Sequence, residues 1–285
     1  LYIFARGRYA MGKFNHIDIE VISEFINKLA SRYVELRTKL LNYPENNKVI
    51  TSLDCGFDVT NLLKRLKKYS VAIDSKREQG AIPPIVSDIY RSDLGELLTT
   101  EYYEEILAEG SRYIIPLKNI SYRERDDMPG KGIDAIGYRI IDDKIDLLAA
   151  EAKVSEQSSN PPDVVHTSKD SLYKTQLKYH NDQELLIKRV QDFMRRLGGE
   201  HLIIMAALVA SMESGDTDKY SITYGCCLVR DYTCVDFTKD YGKLKSNEDD
   251  FTNGDIHAVI LSFTDKTINE TVDLFYKKVQ EIVNE

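Results

Sequence analysis

The sequence has no tryptophan and only four cysteines, at Cys55, Cys226, Cys227 and Cys234, among its 285 residues. None of the cysteines shows C-x-x-C spacing, which argues against a zinc site and against a small secreted domain held together by disulfides. The longest apolar run, residues 201–212, is too short to span a bilayer. No basic segment followed by an apolar one opens the chain, so the sequence predicts no secretory signal. We therefore expect a cytoplasmic protein without membrane contact.

An excess of basic residues is also missing, because the formal net charge is −8. A protein that binds nucleic acid tightly on its own usually shows a basic excess. Three explanations stay open: the substrate is not nucleic acid, the basic residues are concentrated locally, or a partner supplies the affinity. Apolar residues make up 42% and charged residues 29% of the chain, which is typical of a globular protein with a sizeable core.

The periodicity of apolar residues predicts a mixed α/β protein. Helices are predicted over 17–42, 58–70, 92–110, 169–196 and 267–283. Strands are predicted over 113–122, 133–141, 144–154, 221–230 and 256–263, while the run 201–212 fits either type. The turn-forming segment GAIPP at 80–84 suggests a boundary between a mainly helical region, 1–85, and an α/β domain, 86–285. Docking of a partner is our hypothesis for the first region.

The stretch GIDAIGYRIIDDKIDLLAAEAKV, residues 132–154, places charges within two apolar strands. If the strands form an antiparallel hairpin with a two-residue loop, Ile141 lies opposite Lys144. Counting back along both strands then places Asp134 opposite Glu151, with Cβ atoms about 4.5–5.5 Å apart. Alternation of side chains puts Lys153 on the same face. The sequence thus predicts that three charges converge on one spot of the sheet.

Two opposed carboxylates destabilise a sheet unless something compensates for their repulsion. Lys153 could act as a structural counterion for Asp134 and Glu151. Alternatively, a divalent cation such as Mg²⁺, which prefers oxygen ligands, could bridge the carboxylates. The spacing favours the cation, and it leaves the lysine available for a separate role.

An acid followed by Glu-x-Lys at the end of a strand, here Asp134 with Glu151-Ala152-Lys153, resembles the signature of the PD-(D/E)xK nuclease superfamily. The resemblance implies a restriction-endonuclease-like mixed sheet flanked by helices, preceded here by a helical N-terminal region. In this superfamily a helical glutamate often adds a metal ligand, which points to Glu96. A structural alternative for Glu96 is a capping box, with Asp93 as the N-cap of its helix.

Three stretches also resemble, more specifically, the HamA family, the nuclease subunits of the Hachiman anti-phage defence system. They are SDLGELLTTEYYEEIL, GKGIDAIGY and LLAAEAKVS. The resemblance implies a superfamily 2 helicase partner of the HamB type, and DNA cleavage that begins when invading DNA engages the helicase. It also accounts for the acidic balance, because the helicase would then supply the DNA affinity.

The chemistry expected from these residues is Mg²⁺-dependent hydrolysis of DNA, with Mn²⁺ as an alternative metal. Asp134, Glu151 and Glu96 would hold the metal, which lowers the pKa of bound water, and Lys153 would orient that water or stabilise the charge at phosphorus. Two alternatives remain: an independent restriction-type endonuclease, and a catalytically silent partner-binding module in which Lys153 merely neutralises the acids.

Other polar residues are weaker candidates. Gln176 and Lys178, on the helix that follows the hairpin, could approach the site. Metal ligation by histidine is not indicated, because the histidines lie far apart and lack H-E-x-x-H spacing; surface or helix-end positions are expected for His16, His166, His180, His201 and His257.

Overall fold

The computed structural model describes residues 5–6, 12–38, 59–71, 84–122 and 132–285. Its strands are β1 Ala5–Arg6, β2 Phe14–Ile19, β3 Ala135–Ile141, β4 Lys144–Val154, β5 Tyr220–Asp231 and β6 Asp255–Phe263. These six strands form one sheet in the order β1-β2-β6-β5-β4-β3. The pairs β2–β6, β6–β5 and β5–β4 are parallel, and the pairs β1–β2 and β3–β4 are antiparallel.

Helices cover both faces of this sheet. The described α-helices are α1 Ser23–Thr38, α2 Val59–Ser70, α3 Pro84–Glu101, α4 Asp163–His166, α5 Leu172–Asn181, α6 Gln183–Met194, α7 Gly199–Ser214, α8 Lys243–Ser246 and α9 Ile268–Asn284. One face carries α1, α3 and α9, and the other carries α5, α6 and α7. In the described part of the chain, none of these helices has the length and apolarity needed to cross a membrane.

Local sequence signals explain several of the helix ends. The side chain of Ser171 accepts a hydrogen bond from the amide of Lys174 and begins α5, while Asp182 interrupts the helical run and begins α6. Thr267 begins α9 as part of a capping box. Gly215 ends α7 in the left-handed conformation, with φ of 69°. The run 201–212 lies within α7 and is therefore helical. Its apolar periodicity alone is compatible with either a helix or a strand.

Three sequence predictions differ from the structure. Residues 17–19 belong to β2 rather than to a helix, and β2 pairs with β6. The strand predicted over 113–122 does not form: Ile114 makes an isolated bridge to Tyr138, and residues 119–122 form a 3₁₀ turn. The helix predicted over 92–110 begins earlier, at Pro84, and continues as a π-helical turn over Tyr102–Ile106.

The predicted domain boundary falls partly outside the described residues, since 80–83 are not among them. Within the described part, β2 lies in the same sheet as β3–β6, and the side chains of α1 pack into the same core as those of α9. The first region thus contributes two strands, β1 and β2, to the shared sheet, and helix α1 to the shared core. The division at residue 85 stays a prediction, as does partner docking by the first region.

Gly95 allows α3 to pack closely against β4, and we expect Gly95→Ala to destabilise the protein. A Cβ atom at this position would lie 2.7 Å from Cγ2 of Val154, a β-branched side chain with little freedom to move. Alanine gains about 1 kcal/mol in helix propensity, whereas overpacking costs about 1–3 kcal/mol, so we expect a net loss of roughly 1 kcal/mol. Urea unfolding measures this loss.

Gly110→Ala is the matched control, because a Cβ atom there meets no atom within 4 Å. Equal stability of the Gly95→Ala variant and the wild type would show that α3 does not depend on this close approach.

Candidate active site

The β3–β4 hairpin brings Asp134 and Glu151 together. Its register pairs Ile141 with Lys144 and Ala135 with Ala150, as the two-residue loop predicted. Asp142 and Asp143 both have positive φ, at 48° and 65°, which is the conformation of a type I′ turn. Continuing this register by one residue places Asp134, directly before β3, opposite Glu151.

A hydrogen bond fixes Asp134 at this position. The backbone amide of Ala152 donates to its Oδ2 at a distance of 2.8 Å. Oδ2 of Asp134 is thus bound to the backbone of β4 between Glu151 and Lys153. The other carboxylate oxygen of Asp134 takes no part in this hydrogen bond.

Glu96 joins these two carboxyl groups from α3. It is 4% exposed and lines the same cavity as Asp134 and Glu151. The capping-box alternative is wrong, because α3 begins at Pro84 and both Asp93 and Glu96 lie well inside it. Asp93 instead accepts hydrogen bonds from the hydroxyls of Tyr33 and Tyr276 in the core.

The three carboxyl groups share an environment that disfavours negative charge. Burial raises the pKa of Glu96 and of Glu151 well above the ordinary value, and repulsion from Asp134 is the next cause for both. Burial also raises the pKa of Asp134, although the hydrogen bond from Ala152 opposes this shift. The site therefore concentrates acidic groups whose charges the protein itself compensates only in part.

Lys153 lies at the same cavity but forms an ion pair with Asp170, with 2.9 Å between Nζ and Oδ2. Although burial opposes the positive charge, the hydrogen bond to Asp170 and the attraction of Glu151 and Asp134 raise the pKa of Lys153. The ammonium group is thus charged at neutral pH. Sequence reasoning missed Asp170, because it lies in the loop before α5, whose path the strand register does not predict.

The cavity in front of these groups has a volume of about 580 Å³. Its other lining is basic and comes largely from α5, α6 and the loop before them: Lys169, Lys174, Lys178 and Arg189, with Tyr179. Lys178 therefore does approach the site, as proposed from the sequence. Gln176 is not among the lining residues; its Nε2 donates to the carbonyls of Ala149 and Gly225 and so links β4 to β5.

The donor set fits Mg²⁺ as a hard cation that prefers oxygen ligands. Glu96, Asp134 and Glu151 offer only oxygen atoms, and their partly uncompensated charge favours a divalent ion. Within the described ranges, no group of three or more acidic, histidine or cysteine side chains is arranged so that all could hold one metal ion. A cation at this site would therefore be bound directly by at most two of the carboxyl groups, with water completing its coordination, as Mg²⁺ allows.

The sheet, the helices on both of its faces and the Asp and Glu-x-Lys residues of the hairpin define a restriction-endonuclease-like protein. A model of the HamA family matches residues 14–279, which is most of the chain. The chain therefore belongs to the HamA family, which assigns it to Hachiman anti-phage defence and to nuclease-like proteins. Searches of curated proteins and of solved structures found no match.

Proposed function

We propose that this protein is a metal-dependent deoxyribonuclease that hydrolyses phosphodiester bonds and acts with a superfamily 2 helicase as a defence effector. The observation that carries the proposal is one cavity in which Glu96, Asp134 and Glu151 face a basic wall. Membership of the HamA family supports the defence role. The helicase partnership is a hypothesis that follows from the same family.

The acidic residues would hold Mg²⁺, or Mn²⁺ in its place, through Asp134 and Glu151, with Glu96 bonded through water. When bound, this metal lowers the pKa of a ligated water and polarises the phosphoryl group. Asp134 keeps the site rigid through its bond to the Ala152 amide, and burial of Glu96 and Glu151 excludes bulk water from around their carboxyl groups.

The surroundings of Lys153 support a role at the reacting groups. Its ammonium pairs with Asp170 and is attracted by Glu151 and Asp134. A charged Nζ at this position would orient the attacking water and stabilise negative charge that develops at the phosphate oxygens. Asp170 would then be a positioning residue that holds the ammonium at the cavity wall.

The basic wall supports DNA binding by this protein in spite of its net charge of −8. Cations are concentrated locally around the cavity, where phosphate groups of a substrate strand would be neutralised. Local attraction of this kind positions the strand without sequence recognition. This favours a nuclease that depends on a partner for its target over an independent restriction enzyme that recognises its own sequence.

The proposed function is tested by cleavage of plasmid and single-stranded DNA with and without Mg²⁺, for the chain alone and with a co-expressed helicase partner. We expect Mg²⁺-dependent cleavage that the helicase and its DNA substrate enhance. Sequence-specific cleavage by the chain alone would favour the restriction-type alternative. No cleavage under any condition, with no binding of Mg²⁺, would favour the silent module.

We expect Lys178→Ala to weaken DNA binding when it is added to the Glu151→Gln variant, which should bind DNA without cleaving it. Loss of one phosphate contact should lower affinity about equally for all sequences and reduce the slope of log K against log salt by about one. Fluorescence anisotropy over a salt series measures both quantities. An unchanged slope would show that the basic wall does not contact phosphate.

Lys188→Ala on α6 is the matched control for this experiment. Its side chain is 63% exposed and pairs with Glu184, away from the cavity lining. We expect this change to leave the DNA affinity of the Glu151→Gln variant unaltered.

A further inference from the structure

Many surface cations of the described chain are neutralised by an acidic side chain. Such ion pairs are formed by Lys13, Arg91, Lys188, Arg195, Lys219 and Lys278. The basic wall of the candidate active site differs, because its cations form no ion pair with an acid among the described residues; they are Lys169, Lys174, Lys178 and Arg189. Lys243 on α8, which lies outside the cavity lining, forms none either. These cations therefore remain available to an anionic ligand.

Helix α8 places Lys243 beside the part of α5 that lines the cavity. This helix packs against α4 and α5, and Nζ of Lys243 lies 5.9 Å from the ring centre of Tyr173. Tyr173 directly precedes Lys174, which lines the cavity. Both lysine side chains are exposed. Lys243 thus continues the basic wall beyond the cavity.

His166 on α4 lies between these two lysines. Nζ of Lys174 donates to the carbonyl of Thr167, the residue after His166, at 2.6 Å. Gly242, directly before Lys243, lies against the imidazole, since a Cβ atom added there would be 2.4 Å from Nδ1 of His166. Burial lowers the pKa of His166, and the charges of Lys243 and Lys174 lower it further. Both ammonium groups therefore act on one place at the surface.

The positive charge around this place exceeds the negative charge. Asp163 accepts from the hydroxyl of Thr167, and Asp250 accepts from the hydroxyl of Tyr173, so both carboxylates keep their charge. Asp170 is neutralised by Lys153. Against the two remaining acids stands a strip of five cations, which we call the positive strip: Arg189, Lys178, Lys174, Lys169 and Lys243.

We propose that the DNA strand cleaved in the cavity leaves it along the positive strip, and that Lys174 and Lys243 hold phosphate groups next to the one that is cleaved. This inference rests on the proposed function. Lysine neutralises phosphate as a flexible point charge and does not recognise bases, so the strip fixes the path of the strand whatever its sequence. The ligand of the site is then a strand of several nucleotides rather than a mononucleotide.

The proposal is tested with Lys243→Gln, which removes the charge and keeps much of the length of the side chain. Added to the Glu151→Gln variant without Mg²⁺, it should weaken binding of a single strand of about 12 nucleotides by about fivefold to tenfold at low salt. The slope of log K against log salt should fall by about 0.7. Lys243→Arg should keep the affinity. Fluorescence anisotropy over a salt series measures both quantities.

Lys245→Gln is the matched control on the same helix. Lys245 is also exposed, but its Nζ lies near the rings of Phe14 and Tyr241, at 5.9 Å and 6.0 Å from their centres, rather than near Tyr173. We expect this variant to keep its DNA affinity.

Cleavage by protein with an intact Glu151 provides a second readout. Lys243→Gln should raise KM for the strand and leave kcat unchanged, because a contact away from the reacting phosphate is made equally in the ground state and the transition state. Hydrolysis of bis(p-nitrophenyl) phosphate, a diester with a single phosphate group, should not change.

An unchanged affinity in Lys243→Gln would overturn the proposal; if Lys178→Ala still weakened binding, the proposed nuclease function would stand and only the path of the strand would be wrong. An equal loss in Lys243→Gln and Lys245→Gln would also overturn it, because a general field would then act instead of a contact. Weaker co-purification of a helicase with unchanged DNA affinity would assign Lys243 to a protein partner and overturn it as well. Absence of both DNA binding and cleavage in protein that carries no change on the strip would overturn this proposal and the proposed function together.

Discussion

Replacement of Glu151 by glutamine should lower the rate of Mg²⁺-dependent DNA cleavage by at least about 10³-fold, equivalent to about 4 kcal/mol of transition-state stabilisation. Glu151 lies opposite Asp134 in the hairpin and is 4% exposed, so its carboxyl group is held beside that of Asp134. The amide of glutamine keeps the size of the side chain but loses the charge that would attract the metal. Single-turnover cleavage of a labelled strand measures the rate.

The same variant should remain folded, which separates loss of chemistry from loss of structure. Removing one of three neighbouring buried acidic groups relieves their repulsion, so without Mg²⁺ the Tm of Glu151→Gln should equal or exceed that of the wild type. Glu184→Gln, at a side chain that is 80% exposed, is the matched control and should cleave normally. Cleavage at the wild-type rate by well-folded Glu151→Gln would contradict the assignment of the site.

Replacement of Arg230 by methionine should lower the free energy of unfolding by about 3–5 kcal/mol. The guanidinium and the carboxylate of Asp240 are both fully buried, with 3.1 Å between Nε and Oδ2. Breaking such a pair leaves an uncompensated charge in the interior.

Further hydrogen bonds add to the role of Arg230. Its guanidinium donates to the carbonyls of Ser155, Gln157, Ser159 and Cys234 and to the side chain of Asn160. Arg230 therefore fastens the loop after β4, only two residues beyond Lys153, to β5. Lysine cannot reproduce this planar set of donors, so Arg230→Lys should also be destabilised.

Urea unfolding of Arg230→Met tests this prediction. Arg195→Met is the matched control, since Arg195 is 76% exposed and its pair with Asp192 should be worth less than about 1 kcal/mol. Addition of Asp240→Asn to Arg230→Met should recover part of the loss, because it removes the unpaired charge. A loss below about 1 kcal/mol for Arg230→Met would show that the buried pair is not a principal stabilising contact.

The local part of this structure was predictable from sequence. The β3–β4 hairpin follows from alternation and from a two-residue loop, and its register alone brings Asp134, Glu151 and Lys153 together. Helix α9 follows from its apolar stripe and from the capping box at Thr267 and Glu270. In each case the decisive interactions lie within a few residues of each other along the chain.

Non-local pairing explains what sequence reasoning missed. Residues 17–19 become part of a strand because β2 pairs with β6, which lies more than 200 positions later along the chain. The segment 113–122 has strand-like composition, yet Lys118 turns inward to pair with Glu104, and only Ile114 bridges to β3. Local propensity cannot anticipate such contacts.

The candidate site shows the same limit. A helix predicted to begin at residue 92 leaves Glu96 as either a metal ligand or part of a helix cap; the observed start of α3 at Pro84 excludes the cap. The sequence gives no indication of the roles of Asp170 and Arg230, because the residues that they pair with lie on other segments of the chain. The role of Glu96 as a metal ligand stays a prediction.

Calorimetric titration with Mg²⁺ of the wild type and of Glu151→Gln is the most direct test of the central claim, that the buried carboxyl groups form a metal site. We predict saturable binding to the wild type, accompanied by a rise in Tm, and loss of both in the variant. Absence of binding to the wild type, or equal binding by the two proteins, would contradict the claim and leave Glu96, Asp134 and Glu151 as a structural cluster.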